Sequence, residues 1–186
     1  MRFYKTAFIL LLIKLPSFLS AQGFEFSPSF LKIAAANNLE LTYPTENSFS
    51  EIPQITNEYL PFVFGMKSKK QDIEIYILYQ NYNPENPATQ NPQVETSRIT
   101  ANAATNHEES VITVLELGKE YVKESFGADW GREIYFHPKK GLSGKENCRL
   151  VTVYKEGIGQ LSIFFFFNEK TAYLDSFYNW VRFAPN

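Results

Sequence analysis

Asn147–Asn168 reads N-C-R-L-V-T-V-Y-K-E-G-I-G-Q-L-S-I-F-F-F-F-N, and the reading of this stretch decides the fold. Two apolar runs flank a glycine-containing break, the pattern of a β-hairpin. In the first run, Arg149 to Tyr154, the residues Leu150, Thr152 and Tyr154 alternate with Val151 and Val153. In the second, Gln160 to Phe167, one face carries Leu161, Ile163, Phe165 and Phe167, and the other carries Ser162, Phe164 and Phe166. Side chains alternate faces along a strand, so aromatics on both faces require cover on both, which predicts a central strand. The break Lys155-Glu156-Gly157-Ile158-Gly159 is longer than a two-residue turn, and Gly157 or Gly159 can supply a positive φ. The four phenylalanines Phe164 to Phe167 would be an aggregation hazard if left open. A buried core strand is therefore the expectation, and an aromatic ligand-binding face is the competing reading.

Working outward, Asn168 is placed to cap a helix over Glu169 to Phe183, with Tyr173, Leu174, Phe177, Tyr178 and Val181 on one stripe. Upstream, Arg132 to His137 reads as a short strand ended by Pro138, and Lys139 to Glu146 as a glycine-containing basic loop. A helix capped by Asn106 or Ser110 and running to Phe126 is expected to bury Val111, Val114, Leu115, Tyr121, Val122 and Phe126. Gly118 would allow close packing within it and Gly127 would end it, and Trp130 would plug the core edge in the turn that follows. Val94 to Ala104 reads as a short helix. Before it, Asn81 to Gln93 has three prolines, four asparagines and no apolar periodicity, the signature of a long surface loop. Glu58 to Met66 and Asp72 to Gln80 form a second hairpin about the turn Lys67-Ser68-Lys69-Lys70, with Pro61 at the start of its strand or at a bulge. Thr45 to Thr56 reads as loop, Leu39 to Tyr43 as a short strand, and Ser29 to Asn37 as a short helix.

The 186 residues suffice for one domain with a real core, and 44% apolar and 16% aromatic content makes the chain globular. Arg2 and Lys5, the apolar run Ala7 to Ile13 and the Leu19-Ser20-Ala21 cleavage pattern have the layout of a secretory signal peptide, with Lys14 a departure from it. That run is far short of the roughly 20 residues of a membrane span. The expected organisation is a signal peptide over 1–21, an N-terminal arm over 22–38 and one α+β domain over 39–186, secreted or periplasmic, with no membrane span once the signal is removed. Cleavage removes three of the 18 basic residues and none of the 20 acidic ones, leaving a net charge near −5. That balance speaks against nucleic acid and against a polybasic membrane surface as partners. The single cysteine, Cys148, forms no intrachain disulfide, so the core alone must hold the domain together.

Nucleophile-elbow, phosphate-loop, dinucleotide, zinc-helix and C-x-x-C patterns are all missing from the sequence. His107-Glu108-Glu109 has metal-ligand residue types, but one histidine beside two acids at a helix start reads as ordinary surface favoured by the positive helix end. Cys148 with His137 or His107 has the residue types of a thiol–imidazole pair. His137 and Cys148 lie eleven residues apart, as in a hairpin, and cross-strand neighbourhood accounts for them equally well. Lys139, Lys140, Lys145 and Arg149 carry the charge for an anionic ligand but lack a helix N-terminus and a glycine cradle. No catalytic residue, metal or cofactor is assigned.

The order of hairpin, long loop, helix, strand, hairpin and C-terminal helix, with aromatic central strands, resembles the PsbP-like superfamily over Leu39 to Phe183. That family includes photosystem accessory proteins, a Ran-binding nuclear protein and DcrB-type envelope proteins. The resemblance implies an antiparallel sheet of about five to six strands covered by two main helices. It also implies a non-catalytic binding or accessory role, and it transfers no site residue. A cystatin-like or NTF2-like curved sheet is the alternative. The functional expectation is an exported, non-enzymatic binding or accessory domain for an unidentified protein or envelope component. The alternatives are a small-ligand binder using an aromatic groove and a cysteine-dependent envelope hydrolase.

Overall fold

Asn147–Lys155 pairs antiparallel with Gly159–Phe167 in unbroken register, and this hairpin lies at the middle of the sheet. Its turn is Glu156 to Ile158, and both glycines take positive φ, 73° at Gly157 and 152° at Gly159. A Cβ at Gly159 would lie 2.3 Å from the Gln80 carbonyl oxygen, so that position must be glycine.

The computed structural model describes residues 24–43, 49–68, 70–168 and 180–185. In chain order the elements are α1 (Pro28–Ala36), β1 (Leu39–Leu41), β2 (Phe49–Glu51), β3 (Phe62–Ser68), β4 (Ile73–Asn81), a 3-10 turn (Pro87–Gln90), α2 (Pro92–Ala103), β5 (Thr113–Glu116), α3 (Lys119–Phe126), β6 (Trp130–Phe136), β7 (Asn147–Lys155), β8 (Gly159–Phe167) and β9 (Val181–Phe183). The main sheet has seven strands in the order β2-β3-β4-β8-β7-β6-β5, and β1 and β9 form a separate two-stranded sheet. Every pairing is antiparallel. The protein is an α+β fold.

The alternation along β8 sorts the core into two layers. Leu161, Ile163, Phe165 and Phe167 join Phe24, Phe26, Phe30, Phe64, Val122, Phe126, Trp180 and Phe183 under α1, α3 and the β1–β9 pair. Phe164 and Phe166 join Leu60, Phe62, Leu78, Ile99, Ala103, Leu150 and Cys148 under α2. All four phenylalanines of the run are buried. The segment read as an N-terminal arm thus supplies three core rings, with Phe30 stacked on Phe64 at 4.4 Å between centroids. Fully burying one such side chain contributes about 1.5–3 kcal/mol.

Helix α2 starts where its capping chemistry sits. The Asn91 side chain accepts from the Gln93 and Val94 amides, and Pro92 opens the first turn. On its inner side a closed polar cluster seats it on the sheet. Gln160 Nε2 donates to Thr96 Oγ1 at 3.1 Å and Thr152 Oγ1 at 3.0 Å, and Thr152 and Ser162 share a 3.0 Å hydrogen bond. These groups are buried and satisfied by one another, which fixes the position of α2 more specifically than apolar packing alone.

Several expectations are corrected. The sheet has seven strands, more than the five to six expected, because β2 and β5 join its edges. The helix expected from Ser110 to Phe126 is a strand, β5, followed by the shorter helix α3. The residues V-I-T-V-L are β-branched or apolar enough for either period, and pairing with β6 wins over the helical spacing. Gly118 therefore stands before α3, and a Cβ there would meet nothing within 4 Å, so it serves no close packing. Gly127 does end the helix, in the left-handed conformation with φ 60°. Phe49–Glu51, expected as loop, pairs with β3. Val181–Phe183, expected as the end of a C-terminal helix, is strand β9, while residues 169–179 of that helix lie outside the described residues, as does the signal segment. The second hairpin forms as β3–β4, with Pro61 just before β3 and a register shift between Phe62 and Phe64. The helices over Pro28–Ala36 and Pro92–Ala103 also match their expected places.

Candidate functional site

At the end of β6 the chain turns through Pro138 and the loop 139–146 before entering β7. The segment that leaves α2 is stitched to the same end: Ala104 bridges Pro138, and the Thr105 amide donates to the His137 carbonyl at 2.8 Å. The result is a cleft of about 520 Å³ lined by Thr105, His107, His137, Pro138, Lys140, Ser143, Gly144, Lys145 and Glu146. Both histidines of the chain line it.

His137 is oriented by the loop. Its Nδ1 lies 2.7 Å from the Glu146 carbonyl oxygen, and since a carbonyl only accepts, Nδ1 carries the proton and donates. That leaves Nε2 of the neutral ring as an acceptor facing the cleft, the arrangement in which a backbone carbonyl fixes the imidazole tautomer. Lys145 is tied by an ion pair to Asp72. The Lys145 hydrogen bond, opposed by burial but aided by the Lys145 charge and the Asn168 amide, holds the Asp72 carboxyl below its ordinary value. Ser143 Oγ donates to Glu74 at 3.1 Å, which fixes the loop from the β4 side. Lys140 has no ion-pair partner among the described residues, and it shares the lining with Glu146, whose carboxylate has none among them either.

The lysine and arginine cluster read from the sequence separates in space. Lys139 Nζ donates to the Ala101 carbonyl at 3.0 Å, where a cation suits the C-terminal end of α2. Arg149 is not part of an anion site. It is buried on β7, donating from Nε to Glu133 Oε1 at 2.9 Å and from Nη2 to Oε2 at 3.0 Å, with its guanidinium 5.7 Å from the centre of the Tyr135 ring. The diagonal cross-strand register of β6 and β7 makes that pair.

Cys148 is fully buried opposite Phe136, in the layer under α2. Burial pushes its thiol well up, against a smaller opposing pull from the Phe165 backbone. A thiolate is the reactive form, so native protein treated with an alkylating reagent is expected to stay unmodified at Cys148 and to become labelled once unfolded in urea. Rapid labelling of the native protein, read by mass spectrometry, would refute this.

Among the described residues no group of three His, Cys, Asp or Glu side chains is placed to hold a metal ion, His107, Glu108 and Glu109 included. Among them also, no helix is long and apolar enough to cross a membrane. Sequence reading grouped Lys140 and Lys145 with Lys139 and Arg149, and named His137 and His107 as alternative partners of Cys148. It missed the convergence of His107, His137, Lys140 and Lys145, which depends on the Ala104–Pro138 bridge and has no local signal. No protein-family model matches this chain, and no match was found among curated proteins or among solved structures.

Proposed function

We propose that this chain is an exported, non-enzymatic binding domain of the cell envelope, and that it takes a small oxyanion, a phosphate or carboxylate group, in the His107–His137–Lys140 cleft. The observation that carries the reading is the Lys140 ammonium, which lines the cleft without an ion-pair partner among the described residues. Beside it His137, whose Nδ1 donates to the Glu146 carbonyl, presents Nε2 as an acceptor that suits the hydroxyl of a protonated phosphate or carboxyl group, in a cleft that also holds His107 and Glu146. A charge-assisted hydrogen bond to an anion is worth about 1.5–3 kcal/mol. The apolar alternative, a ligand on the aromatic strand, gains no support from the described residues, where Phe164 to Phe167 are closed over on both faces. The accessory role implied by the PsbP-like resemblance is of the same kind; it rests on an order of elements in which the fold puts β5 and α3 where one helix was expected.

Titration calorimetry with inorganic phosphate and with a small dicarboxylate tests the proposal and separates the two chemistries. Saturable binding is expected with one of them. Lys140→Ala is expected to weaken it about tenfold, the equivalent of roughly 1.4 kcal/mol. Binding to neither anion, or equal binding by Lys140→Ala, would remove the cleft from the proposal.

A further inference from the structure

Strand β5 is an edge strand among the described residues, and it is exposed along its whole length. Val114 and Leu115 on the strand, and Val111 and Ile112 just before it, are between 45% and 71% exposed. Sheet edges carry a row of unpaired backbone donors and acceptors, and stable monomers blunt them with lysine, proline, bulges or short length. Of these devices β5 has only its short length, four residues over Thr113–Glu116: V-I-T-V-L-E-L over 111–117 has no lysine or proline, and the β5–β6 register runs without a shift. Its one charge, Glu116, is turned to Arg132 on the neighbouring strand. The opposite edge, by contrast, is the three-residue β2, with Pro53 following two residues later.

We propose that this edge pairs antiparallel with the same edge of a second copy, extending the sheet across a two-fold axis at Thr113. The choice of occupant rests on the self-complementary order of the residues. In a continuous antiparallel sheet the axis is perpendicular to the sheet, so facing residues lie on the same face. With the axis at Thr113, and the strand lengthened on pairing to take in Val111 and Ile112 ahead of it, Val111 faces the second copy's Leu115, Ile112 faces its Val114, and Thr113 faces Thr113. Every exposed apolar side chain meets another, on both faces, and threonine meets threonine, all favourable cross-strand pairs. Ser110 faces Glu116, so no like charges oppose. Moving the axis by one residue to Val114 sets Ile112 against Glu116 and Thr113 against Leu115, which loses the match.

Sedimentation equilibrium of the purified protein over a wide concentration range tests this. A reversible monomer–dimer equilibrium is expected. Val114→Lys is expected to weaken it about tenfold or more, since symmetry introduces the change twice. Its side chain is half exposed, so the monomer keeps its fold, which circular dichroism checks. Adding Ile112→Glu to Val114→Lys places opposite charges across the axis in this register and is expected to recover part of the affinity. A protein that is monomeric throughout overturns the proposal, as does a dimer indifferent to Val114→Lys. A monomer whose edge binds an extended peptide of another protein also overturns it, and assigns the strand to a different partner.

Discussion

Replacing Phe165 by alanine is expected to lower stability by about 3–5 kcal/mol, and replacing Phe164 by alanine to cost about the same. The two side chains are neighbours in sequence, are both fully buried and belong to different core layers. Phe165 lies opposite Ile75 on β4 and packs under α1, α3 and the β1–β9 pair, while Phe164 lies opposite Tyr76 and Leu150 and packs under α2. Each deletion leaves a cavity in close-packed surroundings that cannot collapse. Domains of this kind have about 5–15 kcal/mol of total stability, so either change moves the protein close to unfolding. Urea unfolding followed by tryptophan fluorescence measures both. A cost below about 1 kcal/mol at either position would mean that one face of β8 is open, against the two-sided core.

Glu133→Ala is expected to cost about 3–5 kcal/mol, because it removes the carboxylate that accepts two hydrogen bonds from the buried Arg149 guanidinium. Glu133 and Arg149 are each only 6% exposed, and two hydrogen bonds join them. The cost is that of breaking a buried, hydrogen-bonded pair by removing one member, and does not measure the worth of the pair. Replacing both residues by apolar ones of similar volume, Glu133→Leu with Arg149→Met, is accordingly expected to recover most of the loss. A double-mutant cycle in urea decides the matter. A double variant as unstable as the sum of its single changes would show that the pair acts independently and that the cost has another origin.

The central hairpin was legible because a strand covered on both faces writes an apolar residue at nearly every position, and no helix face accounts for L-S-I-F-F-F-F. The same rule explains the failure at β5. Val111, Val114, Leu115, Tyr121 and Val122 satisfy a helical spacing and also fit a strand joined to a separate short helix, and only the presence of β6 alongside chooses between them. Three-residue strands such as β2 and β9 carry too few residues to show a period at all. At the cleft, each side chain was legible as a residue type, but convergence is a property of topology. His107 and His137 meet because α2 and β6 end at the same edge of the fold. Arg149 looked like part of a basic surface because its carboxylate partner sits on another strand, sixteen residues away in sequence.

Strand β1 pairs with β9, and Arg182 reaches Glu40 across 142 residues of sequence. This join sets an order of events during synthesis. A chain emerging from its N-terminus completes β4 long before β8 exists to pair with it, and β1 waits longer still for β9. The layer containing Phe26, Phe30 and Phe165 therefore has no complete cover until residue 183 has been made. Contacts this distant close slowly, and until they do the nascent chain presents sticky aromatic surface. Acquisition of the native state is in this sense a post-translational event, completed when the two distant ends of the described chain are zipped together.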